Sequence, residues 1–334
     1  MTVLIIGATG LLGSQCAQEL VARGHTVRGL ALPPVPEGAL LPPMELTFGS
    51  YLDMTDGELS ALMTGCEGLV FAAGVDERLE GKPPIYDFFV KYNNTPLRRL
   101  LAVAKATGVK HVAVCGSYFT HFAATRPEWD LARHPYIKSR LEQQELALSF
   151  AGPGFDVAVL GIPYIFGAQP GRKPVWTFLV KMLRRMPFAT FYPDGGTAMI
   201  TARQTGQALA GAVERNRGGQ VYPLGWVNRS WRDMLTLFHQ GMGVKRPVVT
   251  IPAGLFTVFA AFVVLGRKLR GVEGGLNLVR FATPMADRMY IDRALGAEPL
   301  GVTDDDIDAA ILDSVRASVR ALDKDAPMIG MKGE

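Results

Sequence analysis

Three glycines spaced three apart, Gly7, Gly10 and Gly13, directly follow the apolar run Val3-Leu-Ile-Ile, and the chemistry this order serves is the binding of a diphosphate. Gly7 permits a tight turn, Gly10 lets the backbone approach the phosphates, and Gly13 lets the next helix pack close to the strand. The orphan N–H groups and the positive end of that helix then face the anion. Thr9, Leu11 and Leu12 complete the loop and are further candidate contacts.

A glycine triplet acts only if a strand enters it and a helix leaves it. Ser14 to Arg23 carries Cys16, Ala17, Leu20 and Val21 at helical spacing, and Gly24 closes it as a C-cap. Thr26 to Leu32 reads as a second strand, completing strand, helix and strand in about thirty residues, the length of a right-handed parallel crossover. The alternation continues with strands at 45–49, 68–74, 109–115 and 155–161 and helices at 56–63, 93–107 and 136–150. It predicts an α/β fold: a doubly wound parallel sheet of Rossmann type over residues 1–165, and a smaller C-terminal α/β substrate domain over 166–330 with segments returning to the sheet. Ligands would sit where the turns after residues 6, 31, 72 and 115 converge at the carboxyl ends of the strands.

Composition narrows the classes. The 334 residues, 48% hydrophobic and 20% charged, can bury a large core. A net charge of +4 with scattered Lys and Arg argues against nucleic acid. Cys16, Cys66 and Cys115 lack C-x-x-C spacing and the five histidines lack ligand spacing, so no metal is expected. Met1 leads straight into the first strand, which leaves no room for a signal peptide and predicts a reducing, cytoplasmic setting.

With these residues in place, the chain resembles the extended short-chain dehydrogenases/reductases, of the NAD-dependent epimerase/dehydratase superfamily. Gly7, Gly10 and Gly13 match the family's G-x-x-G-x-x-G, and Phe71-Ala72-Ala73-Gly74 matches the small-residue turn that lies against the cofactor. Asn93 matches the asparagine of V-N-x-x-G-T, with Pro96 and Leu97 replacing G-T. Ser117 matches the serine ending the fifth strand, and Leu160-Gly-Ile-Pro163-Tyr164-Ile-Phe-Gly167 is an altered form of L-R-P-x-x-V-Y-G-P. Looser matches run through 193–196, 221–225 and 292–296, so the resemblance spans almost the whole chain.

The resemblance implies a hydride transfer in which Tyr136 protonates a carbonyl oxygen polarised by Ser117, with Thr120 as a substitute hydroxyl. The family's Y-x-x-x-K is changed: Tyr136 is followed at i+4 by Arg140, while Lys138 points to another face. Arginine keeps the charge that favours phenolate and can fork onto ribose hydroxyls, but it cannot release a proton. Ser50 and Tyr51 are placed for adenine, Pro163 is a further cofactor candidate, and Tyr164 is a substrate candidate. The cofactor is NAD or NADP. Ala31, Leu32 and Pro33 end the second strand without an acid or an arginine, and no Lys or Arg occurs between Arg28 and Arg78, so the lean is to NAD.

The second half reads as the substrate side. Residues 168–192, with Arg172, Lys173, Trp176, Phe178 and Phe191, form a lid that is basic at its entry. Ser230 reads as an N-cap with Asp233 at N3, so Trp231 starts a helix. Residues 251–265 are apolar and uncharged, between Lys245-Arg246 and Arg267-Lys268. They are expected to be a buried helix roofing an apolar pocket or forming a subunit contact in a homodimer, with attachment to a membrane surface as the alternative. An apolar roof suits a lipophilic ketone, aldehyde or secondary alcohol, as in the 3β-hydroxysteroid dehydrogenase and dihydroflavonol reductase branch. A sugar-nucleotide epimerase/dehydratase and a non-catalytic nucleotide sensor are the competing classes, the second favoured by Arg140 and opposed by Tyr136 and Ser117.

Overall fold

The apolar run after Met1 is continuous because both of its faces are covered. In the computed structural model, which describes residues 1–35, 37–323 and 328, it forms β1 (Thr2–Ile6), an interior member of a seven-stranded parallel sheet, third from one edge. The other strands are β2 (Thr26–Ala31), β3 (Glu45–Phe48), β4 (Gly68–Phe71), β5 (His111–Ser117), β6 (Asp156–Ile162) and β7 (Gly219–Pro223). Their order is β7-β6-β5-β4-β1-β2-β3, which places the reversal of winding between β1 and β4. Alternate residues feed two cores: Val3, Ile5 and Val70 face one layer, Leu4, Ile6 and Leu69 the other.

Helices α1 (Leu11–Ala22) and α5 (Ala202–Arg215) cover the first face. Helices α2 (Asp56–Met63), α3 (Thr95–Ala106) and the end of α4 (Pro135–Leu148) cover the second. Thr55 caps α2 through a reciprocal capping box with Glu58. Both α5 and β7 come from the second half of the chain and return to the sheet, α5 packing so closely on α1 that a methyl on Gly206 would lie 2.6 Å from the Gln15 backbone. The remainder of the second half shares a third, aromatic-rich core with the start of α4, including Tyr136, Trp176, Trp231 and Phe238. Ser230 caps the helix Trp231–Gly241 by accepting from Asp233 N–H. The last residues of the expected second domain, 324–327 and 329–330, lie outside the described residues.

One expectation is overturned. Residues 253–269 form a helix, α6 (Ala253–Leu269), but Ala260 is its one buried residue. The apolar side chains face outward instead of roofing a pocket, because only the side carrying Phe256 and Ala260 meets the body of the protein. No helix among the described residues is long and apolar enough to cross a membrane.

Candidate cofactor and catalytic site

The glycine loop joins β1 to α1 as its spacing predicts. Gly7 has φ +91°, in the left-handed region, and a methyl there would also come within 2.8 Å of the Ala72 carbonyl. Gly10 donates to the Gly7 carbonyl at 2.9 Å and becomes the N-cap of α1. A methyl on Gly13 would overlap the Gly7 carbonyl oxygen, so the close approach it permits is of helix to turn. No side chain among the described residues caps this helix, which leaves its first N–H groups to an anion. A cradle of this kind fits a dinucleotide diphosphate.

Beside the loop, the turn after β4 is clamped. Asn93 accepts from Val75 N–H at 2.9 Å and donates to the Val75 carbonyl at 3.1 Å. Arg140 donates to the same carbonyl at 3.1 Å, to the Cys115 carbonyl at 3.4 Å and to Gln143 Oε1 at 2.7 Å. Gln143 in turn donates to the Asn93 carbonyl at 3.1 Å. The guanidinium is buried, its hydrogen-bond partners are neutral, and among the described residues its Nε–H has none. Gln143 is absent from the sequence expectations, although its position three residues after Arg140 puts both on one helix face.

A cavity opens where Ala72, Ala73, Gly74, Ser117, Pro163 and Leu12 meet Tyr136, Arg140 and Tyr164. Tyr136 and Ser117 are both buried and both line it. The Arg140 guanidinium carbon lies 5.1 Å from the Tyr136 ring centroid. Burial pushes the Tyr136 phenol up to about 12; Arg140 opposes that rise, and Glu77 and Asp76 add to it. Lys138 points elsewhere, to the Tyr86 ring and Glu142.

Glu77 also lines the cavity and was not expected there. Burial holds its carboxyl well above the usual carboxylate range, reinforced by Asp76 and opposed by Arg78 and Arg140. Its signal in the sequence, an acid a few residues after Gly74, is too common to single out. Asp76 and Arg78 form an ion pair at 2.6 Å, and Arg78 reaches the Val175 carbonyl.

The substrate candidates separate. Tyr164 and Trp176 line the cavity with Val175 and Phe178. Trp176 donates to the Ile165 carbonyl at 2.8 Å and stacks on Phe166. Thr120 does not line the cavity; its hydroxyl donates to the Ser117 carbonyl at 2.8 Å. Arg172 lies over the glycine loop, donating to the Thr9 carbonyl at 3.1 Å and to its hydroxyl at 2.8 Å. Phe191 sits on the separate strand Thr190–Pro193. Tyr51 packs edge-on against Phe71, and Ser50 accepts from Leu52 N–H, both just past β3. Arg28 is occupied by Glu45 and the Thr64 carbonyl, away from the end of β2.

Comparison with known proteins gives a nucleotide-binding region and relatives of the same fold. Residues 7–150 match the family model described as NAD(P)H-binding. A Synechocystis protein carrying the provisional name dihydroflavonol 4-reductase is 25% identical over 93% of this chain and 92% of its own length. A Stigmatella aurantiaca ketoreductase acting on a farnesylated dihydroquinoline-1-oxide is 27% identical over 75% of this chain and 76% of its own. The crystal structure of a nucleoside-diphosphate-sugar epimerase from Pseudomonas aeruginosa superposes with a TM-score of 0.68 at 16% identity, covering 97% of this chain and 98% of that one.

Proposed function

Because the chain carries an NAD(P)H-binding domain in the fold of the extended short-chain dehydrogenases/reductases, we propose that it is an oxidoreductase. Its reaction would exchange a ketone or aldehyde for the secondary or primary alcohol. The observation that carries the reading is that Tyr136, Ser117 and Arg140 converge on one cavity beside the glycine loop. Residues 1–165 would hold the cofactor and residues 166–330 most of the substrate.

The nicotinamide, when bound, supplies or accepts the hydride. Gly7, Thr9, Gly10, Leu11, Leu12 and Gly13 would hold the diphosphate through the uncapped start of α1. Ser50 and Tyr51 would lie on the adenine side, and Ala72, Ala73, Gly74, Asn93 and Pro163 on the nicotinamide side. The free Arg140 Nε–H is a donor suited to a ribose hydroxyl. Tyr136, kept as a phenol by its surroundings, gives its proton to the carbonyl oxygen, and the Ser117 hydroxyl donates to the same atom. Arg140 stabilises the phenolate left behind.

We assign NAD as the preferred form: Ala31, Leu32 and Pro33 offer a 2′-phosphate no cation, and Arg28 is occupied. The substrate class is a lipophilic carbonyl, supported by the apolar and aromatic lining from Ile162, Tyr164, Val175, Trp176 and Phe178. The Stigmatella relative, whose name describes a farnesylated ketone, is consistent with that class.

The test is titration of the purified protein with NADH and NADPH, followed by a panel of lipophilic ketones and aldehydes read by nicotinamide absorbance. Turnover in wild type, with loss of at least about a hundredfold in Tyr136→Phe at unchanged cofactor affinity, is the expected result. Undiminished turnover in Tyr136→Phe removes the assigned acid. Tight cofactor binding without oxidation by any carbonyl points to the epimerase or sensor class instead.

A further inference from the structure

The outward face of α6 has no role in the site just described. Leu255, Val258, Phe259, Phe262, Leu265 and Leu269 are all exposed, Phe262 by 69% and Leu269 by 80%. Their spacing of three and four residues draws one stripe along the whole helix, about 25 Å at 1.5 Å per residue. Soluble proteins rarely leave such a continuous apolar strip in water.

The helix is firmly mounted from behind. Phe256 packs on Tyr192, with ring centroids 6.2 Å apart, and Arg267 bonds Glu80 at 2.7 Å. The stripe is therefore displayed along its full length by a fixed support. This is the orientation of a helix lying in an interface, and the helix is too short and polar-ended to cross a bilayer.

Charge decides what covers it. No Asp, Glu, Lys or Arg occurs in residues 247–266, and every charged residue immediately flanking that stretch is basic: Lys245, Arg246, Arg267, Lys268 and Arg270. Arg246 is spent on the Leu183 and Met186 carbonyls and Arg267 on Glu80. Lys245, Lys268 and Arg270 remain exposed at the ends of the segment, Arg270 donating to the Gly266 carbonyl at 3.1 Å and standing 3.8 Å from Glu80. Two copies joined in parallel through α6 would set basic ends against each other, and an antiparallel pair would offer those ends no carboxylate from residues 245–270. Anionic headgroups neutralise those ends while the stripe enters the acyl boundary.

We propose that α6 seats this protein on the surface of an anionic lipid bilayer, its axis in the membrane plane and the stripe from Leu255 to Leu269 buried below the headgroups. The assignment stands independently of the oxidoreductase reading. Joined to it, the Arg267–Glu80 bond ties the seated helix to the segment 74–78 that lines the cavity, so a lipophilic carbonyl would be drawn from the bilayer.

The full-length protein is floated with vesicles of phosphatidylcholine alone and of phosphatidylcholine mixed with phosphatidylglycerol. Wild type is expected to float with the mixed vesicles and to be released progressively by salt. Phe259→Glu combined with Phe262→Glu should lower partitioning at least about tenfold, and Lys268→Ala combined with Arg270→Ala should remove the preference for anionic lipid. Cofactor titration of each variant monitors folding; if the double glutamate variant fails it, Phe262→Ser alone, at the most exposed ring of the stripe, gives the reading. Wild type that stays with the pellet, or variants that float like wild type, overturns the proposal. So does light scattering that finds a wild-type dimer broken by the glutamate pair, since the stripe then covers a second copy. Cofactor binding and turnover are read separately, so loss of either leaves the vesicle result intact.

Discussion

At the scale of single residues, Arg140 organises the site. Its guanidinium spans the Cys115 carbonyl, the Val75 carbonyl and Gln143 Oε1, which a single ammonium cannot do. Its hydrogen-bond partners carry no charge, so its field acts on Tyr136 and Glu77. Restoring the commoner lysine should therefore harm the protein: Arg140→Lys is expected to lose two hydrogen bonds at about 1 kcal/mol each or more, lowering kcat/KM by about tenfold to a hundredfold. Steady-state kinetics check this, and an increase would mean the pocket still suits lysine. Tyr136, Arg140 and Ser117 were legible from their positions relative to the strands. Gln143 and Glu77 were not, because nothing local marks which polar side chains a cavity will enclose.

Helix α4 shows how an element carries chemistry to its place. Its start is pinned when Tyr136 N–H donates to the Gly275 carbonyl at 3.1 Å and His134 Nδ1 accepts from Asn277 N–H at 3.1 Å. Burial lowers the His134 pKa to about 4, with Arg280 assisting and Asp130 opposing. The folded ring is neutral, whereas the unfolded chain takes up a proton below about 6.5. His134 therefore contributes stability that is present above pH 6.5 and lost as pH falls towards 4, about 3 kcal/mol at most. Urea unfolding at pH 7.5 and pH 5, compared between wild type and His134→Gln, should show a smaller loss in the variant; equal losses would remove His134 as the source. Helix α6 marks the limit of reading elements from sequence. Apolarity predicted a helix that shuns water and not which surface would relieve it, and burial was assumed where exposure is found.

For the whole molecule, the two halves are joined through the sheet and through the cofactor loop. Strand β7 and helix α5 complete the sheet from the second half, and Arg172 crosses to hold Thr9 at both its carbonyl and its hydroxyl. Ordering the loop before an anion arrives lowers the cost of binding. Arg172→Ala should thus weaken NADH binding about threefold to tenfold and reduce the rise in Tm that the cofactor produces. Calorimetry with thermal unfolding checks both, and an unchanged affinity would leave Arg172 a purely local contact. The sequence alone determined the parallel alternation, the glycine turn and the placing of Tyr136 and Ser117 at strand and helix ends. These follow from local periodicity and from the steric needs of a few residues. Tertiary structure alone decided that Arg140 is locked to Val75 and Cys115, that Arg172 serves the loop, that Glu77 faces Tyr136's cavity, and that the apolar side of α6 faces outward. Each depends on contacts between residues far apart in the chain, whose geometry exists only once the layers have packed.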